Sequence, residues 1–210
     1  VFTMPRKRNK KSSRLSARLT ELQQQSKGKT WTLRPSVLLC NNIPAPMHGI
    51  APRVVLGSVW WDQERKSAYK STSYHCIACG VSKYKAKARK WMEGHEIYDI
   101  DYRRGLMVYK ETVPLCHYCH NYIHDGRLHA LLKEGKLSHG KFAGIIQHGD
   151  KVLAEAGLGR MSRADRDNEM ATMLLDGVVQ EWEKWRLIVN GKKYPPKYKS
   201  LDEWRRETQL

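Results

Sequence analysis

The chain has 210 residues, with 38 Lys and Arg against 21 Asp and Glu and a formal net charge of +17. This length suits one ordinary domain with appendages or two small domains, and a hydrophobic content of 40% allows a core of modest size. The charge favours a polyanionic partner, most commonly nucleic acid, over a merely solvated basic surface. No apolar run is long enough for a membrane helix or a secretory signal, so we expect a cytoplasmic protein without a membrane partner.

Residues 1–30 form a basic segment in which Glu21 is the single acid. Such a composition is typical of a flexible arm that follows a phosphate backbone, and the alternative is a solubilising tail. The arm residues that we expect to contact phosphates are Arg6, Lys7, Arg8, Lys10 and Lys11.

Residues 31–74 are predicted to begin as an irregular segment and to end in a helix. Four prolines lie between residues 35 and 52, a density that breaks helices and central strands. The helical stretch begins at the Trp60–Trp61 pair, which we expect to be core, and runs through Tyr69. Cys40 lies in an apolar run, so we expect it to pack in the interior rather than to bind a metal.

Residues 75–126 contain two Cys-x-x-Cys pairs, Cys76 with Cys79 and Cys116 with Cys119. Without an export signal, two such pairs predict metal ligation in a reducing compartment rather than disulfides. Zinc prefers four tetrahedral ligands, and four thiolates leave it no open position. We therefore predict a structural zinc site, and a redox role for either pair is the weaker alternative.

Three histidines of the same segment predict a second metal site. His120 and His124 are four residues apart, a spacing that places two side chains on one face of a helix. His95 belongs to a predicted strand, and a hairpin followed by a helix would bring it to the same ion. Imidazoles favour Zn, Ni or Mn, whereas phosphate oxygens would add ligands that suit Mg. The alternative is that these histidines are core or surface residues beside the zinc site.

Residues 127–210 are predicted to be mainly helical and to contribute nucleic-acid binding and specificity. Helices are expected before Gly135 and over residues 138–156. A further helical pattern follows a capping box at residues 162–165 and extends to Ile188. We expect Asn190–Gly191 to close that helix. A last short helix is predicted to begin at Ser200, which has an acid three residues further on.

The segment from Cys76 to His124, about a quarter of the chain, resembles the zinc-stabilised HNH endonucleases of phages and bacteria. The resemblance rests on the Cys-x-x-Cys pairs, on His95–Glu96 in a predicted strand, and on the Cys-His-x-x-x-His run of residues 119–124. It implies an α+β protein: a small ββα-metal finger with a structural four-cysteine zinc, embedded in a mainly helical chain with a basic N-terminal arm. It also implies hydrolysis of phosphodiester bonds in double-stranded DNA with one divalent ion, Mg²⁺, Mn²⁺, Zn²⁺ or Ni²⁺.

The resemblance assigns catalysis to His95, Glu96, His120 and His124. In the family the metal ligand precedes the base on the first strand, which makes His95 a ligand and Glu96 a base or an orienting group. A shift of one residue makes His95 the base and puts Gly94 at the ligand position. The family's asparagine on the returning segment has no counterpart in residues 111–115.

Further phosphate contacts are expected from basic residues around this segment. These residues are Lys83, Lys85, Lys87, Arg89, Lys90, Arg103, Arg104 and Arg127.

The resemblance favours a phage or mobile-element nuclease, with homing as one such role. The first alternative is a zinc-stabilised nucleic-acid-binding protein that does not cleave, which the His95–Glu96 order and the missing asparagine favour. The second is a nuclease for branched DNA, because a similar four-cysteine clamp occurs in phage junction-resolving nucleases. One nuclease centre makes one cut, so a double-strand break would require a dimer or two successive events.

Overall fold

The computed structural model describes residues 31–39, 43–160, 165, 177 and 179–208. The basic arm of residues 1–30, Cys40 and most of the helix predicted after residue 162 lie outside the described residues. Within the described residues the fold is mixed α and β, with six α-helices and a four-stranded sheet.

The elements follow one another in a fixed order along the chain. The α-helices are α1 (Pro52–Val55), α2 (Gly57–Ser71), α3 (His117–Ile123), α4 (Asp125–Lys133), α5 (His139–Glu155) and α6 (Leu201–Thr208). The strands are β1 (Glu93–Asp101), β2 (Leu106–Leu115), β3 (Arg186–Val189) and β4 (Lys192–Tyr194). Short 3-10 helices span Pro35–Leu39, Ala45–Met47 and Trp182–Lys184.

A β-hairpin followed directly by a helix forms the centre of the molecule. Strands β1 and β2 pair antiparallel from Glu93 opposite Leu115 to Asp101 opposite Leu106, with a bulge between Ile97 and Tyr98. Cys116 is extended and is the only residue between β2 and α3. The predicted order of strand, returning strand and helix is therefore observed.

Helix α2 packs across this hairpin through its two tryptophans. Trp60 meets the Tyr109 ring edge-on, with ring centroids 5.8 Å apart. Trp61 covers Gly94, where an added Cβ would lie 3.1 Å from the indole ring. The prediction that the tryptophan pair belongs to a helix is confirmed, and the helix begins three residues earlier, at Gly57. The expectation that the pair is core is not met, because both side chains are half-buried and lie outside the two hydrophobic core clusters.

Helix α3 is held against α5 by a close contact between Tyr122 and Gly149. A Cβ on Gly149 would lie 2.2 Å from the Tyr122 ring, so only glycine lets the buried ring approach the α5 backbone. The Tyr122 hydroxyl donates to Asp150 Oδ1 at 2.6 Å. These contacts fix α3 relative to the longest described helix.

The C-terminal part of the chain contributes two strands to the same sheet. Strand β3 pairs parallel with β2 and antiparallel with β4. Asn190 and Gly191 have positive φ values of 50° and 75°, which is the conformation of a two-residue hairpin turn. The helix predicted to extend to Ile188 is wrong over residues 179–188, which form an irregular stretch, the 3-10 helix Trp182–Lys184 and strand β3. The alternation of buried Leu187 and Val189 with half-buried neighbours is the period of a strand.

Other predictions for this part of the chain are confirmed. The helices expected before Gly135, over residues 138–156 and after Ser200 correspond to α4, α5 and α6. Because residues 186–189 and 192–194 are strands, however, the expectation of a mainly helical C-terminal region is wrong there. The described helices include none with the length and apolar character needed to cross a membrane.

Candidate metal centres

Four cysteine thiols meet between the end of β2 and the turn that follows α2. The sulfur atoms of Cys76, Cys79, Cys116 and Cys119 all lie within 4.8 Å of one another. The Cys79 and Cys116 sulfurs are 3.8 Å apart. Zinc–sulfur bonds of about 2.3 Å place the ligands of a tetrahedral zinc about 3.8 Å apart. The cysteine cluster can therefore bind a metal such as zinc with little rearrangement.

Backbone hydrogen bonds bring the first cysteine pair to the second. Gly80 adopts a φ of +74°, a left-handed conformation that favours glycine, and its N–H donates to the Cys76 carbonyl at 2.8 Å. The Ile77 N–H donates to the Pro114 carbonyl at 2.9 Å. The first pair is thereby tied to the last residues of β2, immediately before the second pair begins.

The four thiols are too close together to ionise independently. Hydrogen bonds from the neighbouring thiols, Cys119 first, lower the pKa of Cys116. Their contacts with Cys116 raise the pKa of Cys79 and Cys119 well above the usual range. Several thiolates can be held at this spacing only when a cation compensates their charge. This chemistry agrees with a site built for a metal.

A histidine that sequence reasoning missed completes the surroundings of the cysteine cluster. His148 of α5 places Nε2 3.3 Å from the Cys119 sulfur, and its ring meets Tyr118 edge-on. A ring N–H at this position can donate to a ligating thiolate and stabilise its charge. The sequence neighbours of the cysteines contact other groups: His75 contacts the Ser73 carbonyl, and His117 contacts a carboxylate of β1. No local spacing connects His148 with the cysteines.

The three predicted metal-binding histidines form a second group, the imidazole cluster. His95 lies on β1, His120 on α3, and His124 is the residue that ends α3. One ring nitrogen from each lies within 4.8 Å of the others, and the ring centroids are 4.7–5.6 Å apart. His124 has left helical geometry, with φ −88° and ψ 48°, yet its ring still meets the other two.

A carboxylate of β1 fixes the orientation of one imidazole. Glu93 Oε2 lies 2.7 Å from His120 Nδ1, and its Oε1 lies 2.8 Å from His117 Nδ1. Burial would raise the pKa of Glu93, but these two histidine contacts lower it to about 2. Because His120 Nδ1 faces the carboxylate, Nε2 is left as its ligating nitrogen. The signal that sequence reasoning missed is the spacing of Glu93 and His95, which are two apart and share one face of the strand.

Two rings of the imidazole cluster, those of His95 and His124, are uncharged at neutral pH. Burial, followed by the charges of the neighbouring imidazoles and Arg53, lowers the pKa of His95 to about 3. Burial, His120, Arg127 and Arg53 lower the pKa of His124 to about 4. A neutral imidazole is the form that binds a metal, so these rings need not lose protons to do so at pH 7.

Glu96, the remaining predicted catalytic residue, lies outside the imidazole cluster. Its carboxylate is buried and accepts a hydrogen bond from Nη1 of Arg53, a residue of α1. Arg53, Glu96, His95 and His124 line one cavity of about 270 Å³. Sequence reasoning missed Arg53, which lies in the proline-containing segment far from the other site residues.

The predicted phosphate-contacting residues are distributed over three surfaces. Those of residues 83–90 lie in the loop before β1, where Lys83 Nζ sits 4.2 Å from the Tyr74 ring centroid and Arg89 stacks on Trp91 at 5.2 Å. Arg103 and Arg104 are exposed in the turn between β1 and β2. The remaining described residues of this set, all of them exposed, are Lys85, Lys87, Lys90 and Arg127.

No family model, curated protein or solved structure matches this chain. A function must therefore be inferred from the two clusters and the side chains that surround them.

Proposed function

We propose that the protein is a metal-dependent endonuclease that hydrolyses phosphodiester bonds of double-stranded DNA at an HNH-type ββα-metal site. The observation that carries the proposal is the convergence of His95, His120 and His124 from a hairpin and the helix that follows it. The adjacent cysteine cluster supports it, because the same helix supplies ligands to both groups.

The residues of the imidazole cluster fit one divalent ion. Three ring nitrogens, one from each histidine, can hold it and leave its other coordination positions for oxygen, which is the pattern of catalytic rather than structural sites. A bound ion would stabilise the negative charge that develops on the phosphate and on the leaving oxygen. An all-imidazole ligand set favours Zn²⁺, Ni²⁺ or Mn²⁺, and phosphate oxygens would make Mg²⁺ acceptable.

The side chains around the imidazole cluster supply orientation. Glu93 holds the His120 ring, and burial keeps His95 and His124 unprotonated. We assign His95 as a ligand because its nitrogen lies within 4.8 Å of both helix-end histidines. In the reaction the hydroxyl of water bonds to phosphorus, the bond to the leaving sugar oxygen breaks, and the other proton of water ends on that oxygen.

Charge supports DNA as the partner. The net charge of +17 and the exposed basic residues near β1 would attract a phosphate backbone, so binding should weaken steeply with salt. The phage or mobile-element setting, including homing, rests on the family resemblance alone.

The proposal is tested by nicking of a supercoiled plasmid in Mg²⁺, Mn²⁺ or Ni²⁺. We expect nicking that EDTA abolishes and that His124→Ala reduces to background while circular dichroism stays unchanged. His129→Ala is the matched control, because His129 lies on the next helix, contacts the Asp125 carbonyl and is outside the imidazole cluster. DNA binding without nicking in every metal would instead support the zinc-stabilised binding protein. A preference for junctions over duplex would support the branched-DNA nuclease.

A further inference from the structure

The two side chains of the Arg53–Glu96 ion pair differ in their exposure to solvent. The Glu96 side chain is only 8% exposed, whereas that of Arg53 is 49% exposed. A carboxylate this buried requires a charged or hydrogen-bonding partner, and Arg53 supplies one through Nη1. The pair therefore anchors a guanidinium whose other side is open to solvent.

Two contacts fix the Arg53 guanidinium in place. Glu96 holds Nη1, and the Trp61 ring centroid lies 5.6 Å from Cζ. A guanidinium has five N–H donors in a rigid fork, so one bond to Glu96 leaves donors for a second acceptor. The guanidinium is thus held in one position while it still has N–H donors for a second acceptor.

Arg53 borders the cavity that reaches the imidazole cluster. Arg53, His95 and His124 line this cavity together. Most of the remaining wall is apolar, formed by Ile43, Met47, Ile50, Ala51, Val54 and Met107. An ionic hydrogen bond is stronger beside apolar walls than in water, because the local dielectric constant is lower.

We propose that Arg53 forms a phosphate-binding subsite beside the imidazole cluster, in which its guanidinium donates to non-bridging oxygens of a phosphodiester and Glu96 holds the guanidinium in position. This inference rests on the proposed function, which it deepens by naming the side chain that holds the scissile phosphate. It makes Arg53 a substrate-contacting residue and Glu96 a positioning residue rather than the general base. The subsite also gives the His95–Glu96 order a physical reason, since one residue faces the imidazoles and the next anchors the arginine.

The first test compares single-turnover nicking rates at saturating DNA and Mn²⁺. We expect Arg53→Gln to slow nicking by about 100-fold, the usual loss when one donor to a developing oxyanion is removed. Arg53→Lys should recover part of the rate, because it keeps the charge but loses the fork. The affinity for Ni²⁺ measured by calorimetry should stay within about threefold of wild type, since no ligand is removed.

Arg65→Gln is the matched control. Arg65 also pairs with a carboxylate, Asp62, at 2.7 Å and packs beside Gly94, but it does not line the cavity. It should nick at the wild-type rate. Because Arg53→Gln leaves Glu96 buried without its partner, the double variant Arg53→Gln/Glu96→Gln removes both charges and provides a folded comparison. Wild-type nicking by either Arg53→Gln or the double variant would overturn the subsite while leaving the nuclease proposal intact.

The second test does not depend on cleavage. Inorganic phosphate is titrated into the Mn²⁺-loaded protein, and its ³¹P relaxation reports binding near the metal. Tighter binding to wild type than to Arg53→Gln, by about tenfold, supports the subsite even if the protein never nicks DNA. Equal phosphate affinity in the two proteins would overturn it even if wild type is an active nuclease.

Discussion

The cysteine cluster and the imidazole cluster are neighbours that differ in how much of a bound ion they would enclose. The cysteine cluster supplies four thiols, three of them buried, inside the larger hydrophobic core. The imidazole cluster supplies three ring nitrogens at the wall of a cavity. Cys119 and His120 are adjacent on α3, so one helix divides its side chains between the two groups. The difference teaches that a closed ligand set suits a structural ion, whereas an open one suits an ion that must meet a substrate.

The largest expected effect is on the stability of the fold, which should depend on the cysteine cluster but not on the imidazole cluster. Cys119→Ser should unfold most of the protein, because structural zinc contributes an apparent binding free energy of about 10 kcal/mol or more to the folded state. Circular dichroism and zinc content by atomic absorption measure the loss. His124→Ala, the comparison at the other centre, should keep both the fold and about one zinc per chain. Equal unfolding of the two variants would remove the distinction between a structural and an open centre.

A smaller effect distinguishes the two roles of His95. Loss of a contact that orients a metal ligand weakens metal binding by about 10- to 100-fold. If His95 is itself a ligand, His95→Ala should weaken Ni²⁺ binding, measured by calorimetry, by more than that. Glu93→Gln provides that reference, because it removes the carboxylate that contacts His120 and His117 but leaves all three histidines of the imidazole cluster in place. A His95→Ala protein that binds Ni²⁺ normally but does not nick DNA would make His95 the base instead.

The smallest expected effect is that of pH on Ni²⁺ binding. The pKa values of about 3 for His95 and about 4 for His124 lie below the ordinary value of 6.5. A lowered pKa means that protons compete with the metal for these two rings only when the pH falls to about 4. Competition at His95 and His124 should therefore be absent between pH 7 and pH 5, and the Ni²⁺ affinity measured by calorimetry should fall by no more than tenfold for each pH unit. A steeper fall would show that His95 or His124 titrates normally, because the one remaining ring of the cluster can account for tenfold at most.

Sequence reasoning identified both clusters because local spacing dictates them. Two cysteines three apart share one turn, and His120 in α3 is four residues from His124, which directly follows the helix. His95 was also found, because a hairpin has few ways to return to the helix that follows it. The positions of these residues follow from short-range geometry, which can be predicted from a single sequence.

The missed residues depend on tertiary contacts instead. Arg53 reaches Glu96 from a segment that appeared irregular, and His148 reaches Cys119 from a helix with no spacing relation to it. The strand around Ile188 was misread as a helix because Asn190–Gly191 can end a helix or turn a hairpin. Pairing with β2 decides between these outcomes, and that partner lies about 80 residues away in the chain.

The geometry of both clusters depends on the contact between Tyr122 and Gly149. With the aromatic ring pressed on the backbone of α5, α3 cannot roll about its axis without a clash. Cys119 and His120 therefore move as one rigid unit. Any side chain larger than hydrogen at position 149 would tilt that unit, and both clusters would lose their geometry through a substitution that touches neither set of side chains.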